Sequence, residues 1–245
     1  MTKPIRIIPI TAPLEPRFNI VGSFETDGPT GESVDYAWNR LRQESPRLYD
    51  GPVLLADIGE PGIDRLDCRR GRYRHLAVAA AIFPHLRAVG VQGVVIARDA
   101  DRDEYVLLGR RGSETRIYQG LWENAPSGTV EPAPGTGTSI ESSDFTRALF
   151  NEGLEETGVH LGDAEVRWIA LLDDSCAQSI DVVLRLDLRA SIDPGRTVCR
   201  AADANAWEYA DTAWVPISRL KDWVGRSGRA ISPPTLALFA HLGWT

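Results

Sequence analysis

The sequence predicts an α+β fold in which a mixed sheet is sandwiched by helices. Two observations carry this. Strand-like apolar runs recur as hairpins through most of the chain, and segments with helical spacing interleave with them. With 245 residues, 43% of them hydrophobic and 25% charged, the chain has the apolar material for a sizeable core.

The elements follow in order. PIRIIPI and RFNIVG read as strands, and the polar TDGPTGES as a turn region. SVDYAWNRLRQES sets Val34, Ala37, Trp38 and Leu41 at helical spacing, with Ser33 as N-cap and Pro46 just beyond its end. PVLLADIG is a strand closed by Pro61 and Gly62, and RYRHLAVAAAIF a helix stopped by Pro84. From about residue 88, VGVQGVVIARD and EYVLLGRRG form a hairpin across DADRD. LWENAPSGTV is a short strand entering a glycine turn, and PAPGTGTS a loop too short to link independent domains. DFTRALFNEGLEETG is the strongest helix in the chain. AEVRWIALL, SIDVVLRLDL and TAWVPI are strands; SRLKDWV and PPTLALFAHLG are helices, the latter with proline in its first turn. The chain divides into an N-terminal, β-rich segment over 1–87 and a second unit over 88–245, with no linker-like stretch between them.

Composition excludes several function classes. The net charge of −7 disfavours DNA or RNA, which want a basic patch. It does not exclude a small phosphorylated substrate, because a bound divalent metal reverses the local sign. Cys68, Cys176 and Cys199 are odd in number and widely spaced, which argues against a disulfide framework or structural zinc and for a reducing cytoplasm. The four histidines form no H-x-x-x-H pair. No apolar run reaches the ~18 residues of a membrane span, and MTKPIRIIPI lacks a secretory signal's features. The expectation is a cytoplasmic protein with no membrane partner, as monomer or homodimer.

The informative segment is the helix from Asp144 to Val159. Ser142 or Ser143 is its expected cap, Asp144 suits its first turn, and Gly158 is its stop. Glu152, Glu155 and Glu156 fall at i, i+3, i+4 and so share one face of a regular helix. Phe145, Ala148 and Leu149 precede them on that stripe, which begins apolar and ends acidic. Like charges at this spacing repel, carboxylates at a helix C-terminus oppose its dipole, and no lysine or arginine follows Arg147 in the helix. A solvated acidic face tolerates this arrangement. So does a hard divalent cation, Mg²⁺ or alternatively Mn²⁺, which takes carboxylate oxygens and leaves positions for water and substrate phosphate.

With its flanks, PSGTV and then NEGLEETGV, this segment resembles the Nudix box: Gly, five residues, Glu, seven residues, Arg-Glu-apolar-any-Glu-Glu-any-Gly-apolar. The second half aligns from Asn151 through Glu152, Glu155 and Glu156 to Gly158 and Val159. LLGRRG and LWENAPSGTVEP resemble the strands before the box, and TAWVPISRL the family's last strand and following helix, so the likeness covers about residues 88–245. Three departures stand out. Asn151 replaces the arginine, Ser143 replaces the first glutamate, and the stretch from Gly128 to Asn151 is nine residues longer than the family spacing. Gly137 would restore the spacing, but Gly128 keeps the strand-to-glycine match and is preferred.

The resemblance implies an α/β/α sandwich with an N-terminal extension packed on it, and Mg²⁺-assisted attack of water on a pyrophosphate. It implies metal ligation by Glu152, Glu155, Glu156 and the Gly128 carbonyl. Glu155, Glu156 and Glu208 are the candidate catalytic carboxylates. Arg110 or Arg111 is the candidate phosphate clamp, and Tyr118, Trp122 and Glu131 are candidate substrate contacts. In the first segment, Trp38, Pro46, Leu48, Tyr49, Gly51, Pro52, Tyr73 and Arg74 are similar to the leader of a subgroup that hydrolyses UDP-sugars. The implied partner is a small nucleoside diphosphate derivative, linked to a sugar or a similar group. The alternatives are hydrolysis of another diphosphate (a dinucleoside polyphosphate, coenzyme or prenyl diphosphate) and a Nudix-fold nucleotide-binding protein without catalysis.

Overall fold

A computed structural model describes residues 5–10, 15–26, 28–44, 48–58, 65–77, 83–131, 137–194, 207–226 and 230–245. Pro46, Pro61 and Gly62, residues 78–82 of the second expected helix, residues 132–136 of the loop and Cys199 lie outside them.

The first segment carries β1 (Ile5–Pro9), β2 (Arg17–Ser23), α1 (Gly28–Glu44), β3 (Pro52–Asp57), β4 (Arg65–Arg72) and α2 (Tyr73–Ala77). Then come β5 (Leu86–Arg98), β6 (Glu104–Arg111), β7 (Trp122–Asn124), β8 (Ser127–Thr129) and β9 (Ser139–Ile140). α3 (Ser142–Glu152) runs into a π turn, Gly153–Thr157. β10 (Glu165–Asp174), β11 (Ser179–Ser191), β12 (Tyr209–Pro216), a 3₁₀ turn, α4 (Leu220–Val224) and α5 (Pro233–His241) complete the chain.

All twelve strands of the described residues belong to one mixed sheet. Its centre is β5, buried along all but its last residue. β11 pairs with it in parallel, Ile180 opposite Val89 and Leu186 opposite Val95. The other edge of β5 is shared in series by β3 at Leu86–Ala88, β8 at Gly90–Gln92 and β6 at Ile96–Arg98. The N-terminal extension joins edge-on: β3 pairs β5, and β1 pairs β10 with Ile7 opposite Leu172.

Alternation along β5 sends side chains to two cores. Val89, Val91 and Val95 face α3, where they bury Phe145 and Leu149. Val94 and Ile96 face α4 and α5, where they bury Leu220, Leu238 and Phe239. Helices therefore cover both faces, the architecture is α+β, and among the described residues no helix is long and apolar enough to cross a membrane.

Two local expectations change, and one strand goes unread in the sequence. α1 begins at Gly28 rather than Ser33, because Pro29 suits a first helical turn. β4, RLDCRRGR, hides a buried Leu66 and Cys68 among exposed charges. Its polar composition masks the alternation. The acidic helix is held at its start by the Asp144 carboxylate, which accepts from the Glu141 N–H at 2.9 Å, so Glu141 rather than a serine is the N-cap.

Phe145 lies 4.8 Å, ring to ring, from Phe18 of β2 and 5.3 Å from Trp168 of β10, and is fully buried. Phe145→Ala should cost about 3–5 kcal/mol, read as a lower urea midpoint with an unchanged denaturant slope.

Candidate active site: a carboxylate cleft

A cleft of about 450 Å³ opens between α2, the β6–β7 connection, β8 and the β10–β11 turn. Six carboxylates line it, Glu123, Glu131, Glu152, Asp174, Asp181 and Glu208, against two guanidinium groups, Arg111 and Arg116.

Glu152 closes α3, and the π turn that follows alters the expected spacing. A π turn takes more residues per revolution than an α-helix, so the three glutamates no longer share one face. Glu156 turns inward and is 6% exposed, while Glu155 is exposed and lies outside the cleft lining. Gly158, at φ 69°, ends the segment as expected.

β8 brings Gly128 against this helix. A Cβ at Gly128 would lie 2.2 Å from Glu152 Oε1, so only glycine permits this approach. Gly137 has open space around its Cβ position instead. The Ser127 N–H donates to Glu156 Oε2 at 3.2 Å, while Glu156 Oε1 is buried with no hydrogen-bond partner. Glu208, just before β12, is held by its carbonyl, which accepts from the Gly112 N–H at 2.7 Å.

These carboxylates strain one another electrostatically. Burial first, then repulsion from Glu208, Glu155 and Glu131, pushes Glu152 up to about 7. Burial, a hydrogen bond with Glu208 that exists only while one of the two carboxyls is protonated, and repulsion from Glu208 and Glu152 raise Glu156 well above its usual range; the Ser127 N–H only partly opposes them. A buried orphan oxygen among mutually repelling carboxylates fits a hard divalent cation held by oxygen ligands. Among the described residues, no group of three or more His, Cys, Asp or Glu side chains is placed to hold a metal ion by itself.

Of the two adjacent arginines, Arg111 lines the cleft and Arg110 does not. Arg111 Nη1 meets the buried Glu123 at 2.6 Å, and its Nε donates to the Ile117 carbonyl at 2.9 Å. Burial opposes the Arg111 charge, but Glu123 more than offsets it and holds the guanidinium above its usual value. Tyr209 donates to the same Glu123 at 3.1 Å. Tyr118 lines the cleft and donates to Asp174 at 2.8 Å. Glu131 lines it too and is exposed. Trp122 is placed elsewhere: it is 6% exposed, packs edge-on to Trp223 at 5.1 Å, and belongs to the core under α4 and α5. Sequence reasoning missed Glu123, Asp174, Asp181, Gln92 and Arg116, none of which falls in a motif.

No family model matches the chain, and neither does any curated protein. Among solved structures, the chain is similar to the NUDIX domain of Shewanella oneidensis NrtR, a structure complexed with ADP ribose. The identity is 17% over 65% of this chain and 89% of that one, with a TM-score of 0.43. A NUDIX hydrolase from Alicyclobacillus acidocaldarius is 14% identical over 63% and 90%, at 0.46. A MutT NUDIX hydrolase from Burkholderia pseudomallei is 18% identical over 62% and 95%, at 0.41.

Two outcomes follow from the geometry. Glu152 and Asp181 both reach about 7 in the fold, above the carboxylate values of an unfolded chain. The folded state thus binds more protons between about pH 4 and 7. In chelator, stability should fall as pH rises through that window, and Mg²⁺ should restore it progressively toward pH 7 and above. Thermal melts at pH 5 and 7.5 with and without Mg²⁺ read both. Gly128→Ala drives a methyl group into Glu152 and should remove most of the Mg²⁺-induced shift in Tm at pH 7.5.

Proposed function

We propose that this chain is a Nudix-type hydrolase. It would cleave the pyrophosphate of a nucleoside diphosphate linked to a sugar or similar group, giving a nucleoside monophosphate and a phosphorylated product. The observation that carries the reading is the juxtaposition of Gly128, Glu152 and Glu208 in the lining of a ligand-sized cleft, with the buried Glu156, outside that lining, beside Glu208 and carrying an orphaned oxygen. The box-like spacing of these residues supports it.

Glu152, Glu156 and the Gly128 carbonyl would hold the cation, with Glu155 close enough to add to their negative field. Bound Mg²⁺ supplies charge neutralisation for the phosphates and a lowered pKa for the attacking water. Glu208 lines the cleft beside Glu156 and would take the water's proton. Arg111, fixed by Glu123 and Ile117, presents its remaining N–H groups to a phosphate. The changes to Ser143 and Asn151 leave these groups in place. The hydrolase unit is residues 88–245, and the extension supplies a cleft wall through Tyr49, Pro52 and Tyr73.

Glu156→Gln should lower Mg²⁺-dependent turnover by about two orders of magnitude, the scale lost when one preorganised charge-stabilising contact is removed. The circular dichroism spectrum should stay unchanged. The test is a Mg²⁺-dependent screen over nucleotide sugars, dinucleotides and prenyl diphosphates, scored by released product. Ligand-induced stabilisation with no turnover on any of them would instead favour a binding protein, and unchanged turnover in the variant would overturn the metal-site assignment.

A further inference from the structure

The cleft has a second end, away from the glutamates of α3. The parallel register sets Ser179 beside Ala88 and Asp181 beside Gly90. Side chains two apart on a strand share a face, so Gln92 joins them, and Ala88, Gln92, Ser179 and Asp181 all line the cleft. A Cβ at Gly90 would lie 2.1 Å from Asp181 Oδ1 and 3.1 Å from the Gly128 carbonyl oxygen. The missing side chain makes room for the Asp181 carboxylate on the β5 floor of the cleft, near the Gly128 carbonyl.

The chemistry at this end is that of acceptors awaiting donors. Gln92 is 5% exposed, and its Oε1 is buried with no hydrogen-bond partner. Such an orphan acceptor is costly in a folded interior and is satisfied by a ligand that brings a donor. Asp181 Oδ2 takes the Ser179 hydroxyl at 2.9 Å, which leaves lone pairs on the carboxylate. Asp174 differs: Tyr118 and the N–H groups of Cys176 and Ala177 engage both its oxygens, so it shapes the turn.

Arg116 lines the same cleft and stacks over the Tyr73 ring at 5.9 Å, and a polyhydroxyl group brings more than one donor to the two acceptors at once. Tyr49 and Tyr73 add flat apolar surface to the opposite wall. Resting on the hydrolase reading above, we propose that Gln92 and Asp181 form a subsite for the hydroxyl-bearing, sugar-like half of the substrate. Gln92 is its specificity-determining residue.

The experiment compares three esters of UDP and of ADP: glucosyl, methyl and 2-aminoethyl. Affinities are measured by calorimetry without metal, and Mg²⁺-dependent hydrolysis of each ester in parallel. Wild type should bind the glucosyl ester about tenfold or more tighter than the methyl ester in at least one nucleoside series, the value of one satisfied buried acceptor. Gln92→Leu, and independently Asp181→Asn, should bring the glucosyl affinity to within about twofold of the methyl one. Near-ultraviolet dichroism checks that each variant is folded, and the wild-type preference decides the matter if one is not. No glucosyl preference in either series, or a preference for the aminoethyl ester, overturns the subsite. If the preference stands but no ester is hydrolysed, the subsite holds and the hydrolase reading fails. Hydrolysis of methyl and glucosyl esters without a binding preference gives the converse.

Discussion

The structure depends on the way one strand divides its edge. β5 gives one side to β11 and the other, in succession, to β3, β8 and β6. Because β8 spans only three residues, its register fixes which residue meets α3. Val91 opposite Gly128 puts a glycine there, and a slip of one residue would put Ser127 or Thr129 against Glu152. Register in a sheet with both faces buried is strongly specified, since a one-residue slip exchanges its faces. The two apolar cores on either side of β5 therefore align the polar site as well as stabilising the fold.

That alignment concentrates negative charge where water is scarce. An acidic chain of this net charge has no general field that attracts polyanions. Arg111 contributes as a fixed dipole with Glu123 more than as a mobile cation. The carboxylates around Glu156 meet that proximity with raised proton affinity. With six carboxylates against two guanidinium groups, the cleft carries the same sign as the chain's net charge.

The sequence made some of this legible. The β5–β6 hairpin, the acidic helix with its Gly158 stop, and the terminal helices announce themselves through periodicity and punctuation. The acidic stripe showed that carboxylates would gather, but not how they divide. The π turn that sends Glu155 outward and Glu156 inward has no signature in local spacing. Strand alternation showed that Arg110 and Arg111 face opposite ways, while only the pairing of β6 decides which enters the cleft. Trp122 sits next to cleft residues in sequence yet packs into the core with Trp223, a contact made across a hundred residues. Glu123, Asp174 and Asp181 are ordinary acids on ordinary strands. Their role comes from tertiary burial, which no short window of sequence contains.

The edge-on joining of the extension also bears on how this chain can be divided. β3 covers the backbone of β5 at Leu86–Ala88, and Leu55 and Leu76 bury the side chains there. On the far side of the sheet, β1 covers β10 in the same way. A fragment starting at residue 88 would cut β5 two residues inside its start and leave the β10 edge uncovered, a template for pairing with another copy. The border between the N-terminal elements and the rest of the sheet thus runs through β5 and not between two strands.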